Sequence, residues 1–509
     1  MLEQAKIVSK SLKVLNIKKG DIITVKIPNI YQGIILFLAA NRIGATVTFL
    51  SFYEELEEDV KYISLYQSKL FMAYAMKETD IEQLKAIKCL KHTILIDCND
   101  YERDGFNQKR EIKKIPFAVN YFDLNSYADI YTGLMHTCHD TTENALILYT
   151  SGTTGTPKSV VLTNNNLMAS AIYMKNSTHL PDVRGEKSFV GVPFTYPYGF
   201  ATSTLMSLLC GRQVVLAPDL SSRTIEQYIR KNLNVIFGSP ALLELIKRNI
   251  PDNQDLSSVN TFISGGDFLQ ESQIKEARQF FCEHGCSAAL CNGSGNAETA
   301  GASTNHVGIE IRENTVGKIL AGTYAVVIDS ETQEEKKYGE EGLLCVGGKH
   351  VFKGYYNEKE LTEDAFITFK GKKYLKTGTR GYLDQEGYFT LTGRDSRFYI
   401  ISSLNKVYCD RVQMIMSHID VIDSIAVVKK NDKERLFVGK AFIVLKPEVP
   451  ETEETWNYIL DKCSKPIVIN KAGEKVLLKT YEIPECYEFI GKLPRTVADK
   501  IDYKSLEEK

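Results

Sequence analysis

The sequence has no apolar run long enough to cross a bilayer. Its longest, such as GIILFLAA from Gly33 to Ala40, falls well short of a membrane span. It also has almost no net charge: 62 Lys and Arg stand against 64 Asp and Glu, a balance of -2. A surface built for a polyanion is therefore not expected, nor is nucleic acid as the partner. Residues 1–21 are charged and broken, without the apolar core and small-residue cleavage site of a secretory leader. A soluble, cytoplasmic protein is expected. The eleven cysteines are scattered and odd in number, which fits reduced thiols rather than a disulfide framework. Cys282, His284, Cys286 and Cys291 cluster in CEHGCSAALC, but the spacing matches no standard zinc pattern and the last lies in a strand-like run, so buried structural thiols are expected there. No repeat or low-complexity tract occurs.

What the chain does have is ordinary globular composition over 509 residues, 43% hydrophobic and 25% charged. That length exceeds a single hydrophobic core and implies about two to four structural units. From Lys61 to about Asp267, short apolar runs (HTILID, NALILYT, FVGVPF, RQVVLA, NVIFGS, VNTFISGG) alternate with stretches such as TIEQYIRKNL and ALLELIKRNI, where apolar residues recur three and four apart. This predicts an α/β body with a largely parallel sheet. After Thr315 the strands become closely spaced with Gly turns, predicting a small β unit attached to the body. A boundary is expected at LTGRDSRFYII, separating residues 1–394 from a compact α+β tail, 395–509, with CDRVQMIMSHI and TEETWNYILDKC as helices and SIAVVKK and LFVGKAFIVL as strands.

One stretch does not fit a bland reading. YTSGTTGTPKSV, Tyr149 to Val160, follows the apolar run Ala145 to Leu148 yet consists mostly of Gly, Ser, Thr, Pro and Lys. Glycines let backbone N–H groups approach a ligand, hydroxyls add donors and lysine adds charge, which is the chemistry of a phosphate cradle. It is not a Walker A loop, because Pro157 precedes Lys158 and a strand, not a helix, follows. By itself the stretch could equally be a flexible turn with a solvated lysine.

The stretch resembles, nearly residue for residue, the signature loop of the adenylate-forming superfamily, which includes acyl-CoA and aryl-CoA synthetases, peptide-synthetase adenylation domains and luciferases. Further segments resemble the family's motifs in order: FTYPYGF at Phe194, ISGGDF at Ile263, CNGSGNAET at Cys291, GLLCVGGKHVFKGYYN from Gly342, YLKTGTRGYLDQEGYFTLTGR from Tyr374 and LPRTVADKIDYKSL from Leu493. The resemblance implies a large N-terminal body and a small C-terminal domain on a hinge. It implies ATP and Mg2+ as cofactors, a small-molecule carboxylic acid as substrate, and CoA or the phosphopantetheine of an acyl or peptidyl carrier protein as acceptor. By the same resemblance Thr150, Ser151, Gly152, Thr153, Thr154, Gly155 and Lys158 would hold the β- and γ-phosphates. Glu298 would bind Mg2+, Asn292 would meet the adenine amino group through its side chain, and Gly265 and Gly266 would line the base. Arg394 would contact ribose hydroxyls, its planar fork suiting that role. Lys500 would be the catalytic lysine of the mobile domain, and Asp395 and Ser396 its hinge. Tyr196, Tyr198 and Gly199 would belong to the acyl pocket.

The chain departs from the family pattern at several positions. Thr379 stands where an aspartate binds both ribose hydroxyls, exchanging a charged bidentate acceptor for one hydroxyl. Losing such bonds costs about 1.5 to 3 kcal/mol, or roughly ten- to a hundredfold in nucleotide affinity. Ser294 replaces the aromatic that stacks on adenine, and Ala297 replaces a threonine beside the glutamate. Ser402 and Ser403 replace a Gly pair near the thiol passage, and Tyr196 replaces a histidine common in CoA ligases. The phosphate loop, Glu298 and Lys500 persist. The expected function is ATP-dependent activation of a fatty or aryl acid to an acyl-adenylate, followed by transfer to a thiol. FTYPYGF carries no aspartate to pair an α-ammonium, which argues against an amino-acid-activating enzyme. The aromatics Phe194, Tyr196, Tyr198 and Phe200 suit an apolar acid but serve equally well as core. The rival expectation is a catalytically impaired member that binds nucleotide or acyl group and acts through a partner.

Overall fold

The computed structural model describes residues 1–52, 55–74, 78–96, 118–135, 137–150, 158–178, 185–218, 220–266, 269, 271–305, 312, 315–394, 397–400, 406–432, 436–469, 475–496 and 500–509. Three sheets build the body. The first has eight strands in the order Gly354–Tyr355, Lys158–Thr163, Asn144–Thr150, Thr46–Phe49, Ile22–Lys26, Leu70–Tyr74, His92–Ile96 and Ala118–Asn120. From Asn144–Thr150 to the far edge the pairing is parallel, while Lys158–Thr163 and Gly354–Tyr355 close the near edge antiparallel. The second sheet runs Lys318–Ile319, Thr304–Asn305, Ala289–Ser294, Thr261–Ser264, Val235–Gly238, Lys187–Val190 and Gln213–Leu216, parallel except at its first two strands. Strands such as Val235–Gly238 and Thr261–Ser264 are buried at every position, as parallel strands covered on both faces must be.

The parallel sheet begins earlier than the sequence predicts, at Ile22 rather than after Lys61. The reason is chemical: these strands carry threonines that are buried with partners, so their apolar pattern is diluted. Thr24 and Ser68 share a hydroxyl hydrogen bond of 2.6 Å, and the Thr46 hydroxyl donates to Asn144 O at 3.0 Å. The helices start where capping chemistry dictates. Ser239 accepts from the Leu242 N–H ahead of Pro240–Asn249, with Pro240 in the first turn, and Thr452 accepts from the Thr455 N–H ahead of Glu453–Cys463.

The third sheet is the expected β unit, antiparallel strands Tyr324–Ile328, Gly342–Gly347, Phe366–Phe369, Lys372–Leu383 and Phe389–Arg394. One hydrophobic core takes residues from all three sheets, including Val25, Leu146, Phe237, Ile263, Val346 and Phe389. Beyond Arg394 a three-stranded sheet, Ile422–Asp432, Leu436–Leu445 and Cys486–Phe489, packs with helices Cys409–Met416 and Glu453–Cys463 around a separate core from Tyr399 to Leu478. Among the described residues no helix is long and apolar enough to cross a membrane.

Between the first and third sheets the chain folds over His350, which is fully buried. Asn166 holds the segment by donating to both Lys349 O and Val351 O, at 2.9 and 2.6 Å. The His350 ring lies edge-on to Tyr173, with Nε2 3.4 Å from the Thr323 hydroxyl and no partner for Nδ1 among the described residues. Burial pushes its pKa down from 6.5 to about 4. Because the folded value is depressed, the neutral ring stabilises the fold above pH 6.5, and that contribution is lost as pH falls toward 4. At pH 5 the expected loss relative to pH 7.5 is roughly 2 kcal/mol. Urea-unfolding midpoints at the two pH values should therefore diverge more in the wild type than in His350→Leu; equal divergence would show that His350 titrates normally.

Candidate active site

The phosphate-loop candidate sits on a hairpin. Asn144–Thr150 and Lys158–Thr163 pair antiparallel, with Thr150 directly opposite Lys158. Residues 151–157 between them, including Ser151, Gly152, Thr153, Thr154 and Gly155, lie outside the described residues. The short strand Gly354–Tyr355 adds to the hairpin's outer edge, with Tyr355 opposite Val160 and Gly354 opposite Val161. Side chains alternate along a strand, so Tyr355, Val160 and Lys158 share a face. Lys158 Nζ lies 5.3 Å from the centre of the Tyr355 ring, within cation–π range.

Tyr355 in turn reaches Glu298: its hydroxyl donates to Glu298 Oε1 at 2.7 Å. Burial first, and then the neighbouring carboxylate, push the Tyr355 hydroxyl's pKa far up, so it stays protonated as a donor. Glu298 rides on a single 3-10 turn, Ala297–Thr299, closed by reciprocal bonds between Asn296 and Thr299. Phe352 N–H donates to Glu298 O at 2.7 Å, fixing the backbone as well. The turn ends with Ala300 and Gly301 at positive φ, +50° and +116°. A Cβ on Gly301 would lie 2.2 Å from Thr202 Oγ1, so this approach to the wide helical turn Tyr198–Leu205 requires glycine.

The same turn ties in the ribose-side candidates. Asn296 Nδ2 donates to Thr377 O at 3.2 Å, and the Thr377 hydroxyl accepts from the Thr379 N–H at 3.1 Å. Thr379 faces Arg394 across the strand pair Lys372–Leu383 and Phe389–Arg394. Two of the ribose candidates are thus neighbours.

On the base side, Gly265 and Gly266 follow strand Thr261–Ser264, and Asn292 lies opposite Ser264 on the next strand. Asn292 is buried and its amide is already engaged: Nδ2 donates to Leu269 O at 3.1 Å and Oδ1 accepts from Leu269 N–H at 3.0 Å. To accept from an adenine amino group, as the resemblance implies, this side chain would have to use the second lone pair of Oδ1. Tyr198 packs against Gly265, where a Cβ would come within 2.7 Å of its ring, and its hydroxyl donates to Ile263 O at 2.7 Å. Gly199 is buried in the turn that follows, whereas Tyr196 is 38% exposed. Phe194 and Phe200 are core, meeting Phe49 at 5.7 and 5.2 Å between ring centres. Of the four aromatics of this segment, Tyr196 is exposed and Tyr198 partly buried.

Lys500 is exposed; Thr496 N–H donates to Lys500 O at 2.8 Å and the flanking Arg495 and Ile501 pair. Asp395 and Ser396 lie outside the described residues, as do Ser402 and Ser403. Just past them, Asp410 accepts from the Arg394 N–H at 2.7 Å and from the Arg397 guanidinium. In the cysteine cluster, Cys286 and Cys291 are buried thiols, Cys282 is exposed, and both His284 ring nitrogens meet carbonyl oxygens.

Sequence reasoning assigned no role to Tyr355 or Thr377, although both stand inside motifs it singled out. Only the sheet register, which brings Tyr355 beside Lys158, reveals the first. No group of three His, Cys, Asp or Glu side chains gathers around a common point among the described residues. A cation beside Glu298 would take one protein carboxylate and otherwise oxygens of a bound polyphosphate and water, which suits Mg2+.

A profile of the family described as AMP-binding enzyme matches residues 1–356. The chain is similar to the long-chain-fatty-acid–CoA ligase of Bacillus subtilis (strain 168), 27% identical with 95% of this chain and 85% of the relative covered. It is also similar to a probable 4-coumarate–CoA ligase 1 of Dictyostelium discoideum, 26% identical with 88% and 80% covered. Its fold matches the crystal structure of ATP-bound MatB from Rhodopseudomonas palustris with a TM-score of 0.81, at 21% identity over 99% of this chain and 92% of that one. The chain belongs to the AMP-binding enzyme family, within the adenylate-forming superfamily whose motifs its sequence follows in order.

Proposed function

We propose that the protein uses ATP to activate a carboxylic acid as an acyl-adenylate and then passes the acyl group to a thiol, with CoA favoured over a carrier-protein pantetheine. A carboxylate oxygen bonds to the α-phosphorus as the bond from that phosphorus to the β-phosphate oxygen breaks and pyrophosphate leaves. The thiolate then bonds to the acyl carbon as AMP departs. The observation that carries this reading is the meeting of Lys158 and Glu298 on Tyr355, linked through Asn296 and Thr377 to Thr379 and Arg394. Family membership and the CoA-ligase names of its relatives support the substrate class.

The barrier in the first step is partly electrostatic. Two unit negative charges at 4 Å repel by about 4 kcal/mol at an effective dielectric of about 20. Lys158 at the hairpin base and Lys500 on the tail are the cations that would offset this where charge accumulates. Glu298 would hold Mg2+, which when bound would neutralise phosphate charge. Thr379 and Arg394 would orient the ribose, and Tyr196 and Tyr198 would face a fatty or aryl acid. Residues 395–509 would move as one domain about Asp395 and Ser396, bringing Lys500 in for the first step and withdrawing it for the second.

ATP–pyrophosphate exchange over a panel of fatty, aryl and amino acids tests the reading directly. Exchange is expected with a fatty or aryl acid, and its absence with every acid, together with no ATP binding, would overturn it. Lys500→Ala should lower the exchange rate by roughly 10² to 10³ while leaving ATP affinity within about twofold; unchanged exchange would put the chemistry elsewhere. Thr379→Asp should tighten ATP binding by roughly tenfold, read by calorimetry, because it restores a charged acceptor for the ribose hydroxyls. No gain would mean the ribose does not lie beside position 379.

A further inference from the structure

Tyr355 is fixed on every side that the structure describes. Its backbone pairs with Val160, its N–H donates to the Thr362 hydroxyl at 2.8 Å, and its ring stands edge-on to Phe352 at 4.9 Å. From that rigid mounting it touches two groups of opposite charge, Glu298 through its hydroxyl and Lys158 through its ring face. Lys158 opens a strand of the first sheet and Glu298 stands on the turn after the second sheet's strand Ala289–Ser294, and the Tyr355 side chain contacts both.

We propose that Tyr355 is a positioning residue that sets the geometry of the phosphate end of the nucleotide site, aiming the Glu298 carboxylate at the cation and carrying Lys158 on its ring. The inference rests on the nucleotide reading above. A carboxylate with one oxygen held by a half-buried phenol is restricted in how it turns, and it offers a cation its other oxygen. That geometry matches a monodentate carboxylate on Mg2+, a small ion that demands near-octahedral coordination and tolerates misdirected ligands poorly. The ring supplies the second half: a cation over an aromatic face keeps its charge while losing freedom to wander.

The two contacts can be separated by substitution. Tyr355→Phe keeps the ring under Lys158 and deletes the hydroxyl, whereas Tyr355→Leu deletes both. Binding of α,β-methylene-ATP, which cannot be adenylated, is measured by calorimetry across a Mg2+ series. Tyr355→Phe should raise the Mg2+ concentration needed for half-maximal tightening by about tenfold, yet reach wild-type affinity within about twofold at saturating Mg2+. Tyr355→Leu should remain about fivefold weaker even there. Adding Tyr355→Phe to Glu298→Gln should shift the Mg2+ requirement no further, since the hydroxyl acts through that carboxylate.

A Tyr355→Phe protein with a wild-type Mg2+ requirement overturns the proposal, as does a shift that persists in the Glu298→Gln background. Should Tyr355→Leu fail to fold, the Phe and Gln arms still decide it. A wild-type protein that binds no nucleotide would overturn the functional reading and this inference together, whereas normal binding with an unshifted Tyr355→Phe overturns this inference alone.

Discussion

Two ladder positions hold the site together: Tyr355 opposite Val160 and Gly354 opposite Val161. Through them, chain that has just left the third sheet becomes the outermost strand of the first. On its way it passes Phe352, whose N–H binds the Glu298 carbonyl on the turn that follows the second sheet's strand Ala289–Ser294. Three sheets therefore meet at one short crossing. The crossing can be precise because its floor is the common core, where Val160, Phe352 and Ala300 are all buried. Close-packed interiors transmit small displacements rather than absorbing them, so a charge mounted on that floor stays where it is put.

Much of the architecture was legible because burial writes itself into apolar runs. NALILYT, NVIFGS and VNTFISGG became the strands Asn144–Thr150, Val235–Gly238 and Thr261–Ser264. The tail's helices and long strands followed from the same pattern. The first strands were missed because Thr24 and Thr46 occupy buried positions, and a hydroxyl satisfied by a residue distant in sequence looks polar in one dimension. The site divides along the same line. Lys158, Glu298, Thr379 and Arg394 were readable as motif members. Tyr355's contacts depend on register between strands far apart in sequence, which no local pattern encodes. Phe194 and Phe200 show the converse: their spacing suited a pocket, yet packing against Phe49 makes them core.

The departures from the family pattern take on different weights once placed. Thr379 is nearly buried, with Arg394 directly across from it. Under the proposed reading, the loss of negative charge there would remove a partner for ribose hydroxyls while Arg394 remains on the facing strand. Ser294 removes an aromatic face, yet its backbone N–H still binds the Thr304 hydroxyl at 3.2 Å, so the strand end is not loosened. On that reading the changes would weaken grip on the nucleoside more than they disturb the scaffold beneath the phosphates. Affinity and chemistry are separable in such a site, because only contacts that strengthen at the transition state accelerate the reaction.

The junction with the tail carries the last constraint. The body's core and the core from Tyr399 to Leu478 are separate clusters, so moving the tail does not require pulling apart a shared interior. What spans the junction near Arg394 is mostly polar. The Asp410 carboxylate accepts from the Arg394 N–H, the Arg380 guanidinium lies 4.1 Å over the Tyr408 ring, and Arg411 stands 3.9 Å from Glu341. A hydrogen bond to a charged group contributes about 1.5 to 3 kcal/mol, a cation–π contact about 0.5 to 2, and a partly exposed ion pair about 1 or less. Water can replace each of these as it breaks, which a buried apolar interface does not allow. The proposed presentation and withdrawal of Lys500 would need an attachment of this kind: specific enough to define a resting orientation, and weak enough for bound ligand to overturn it.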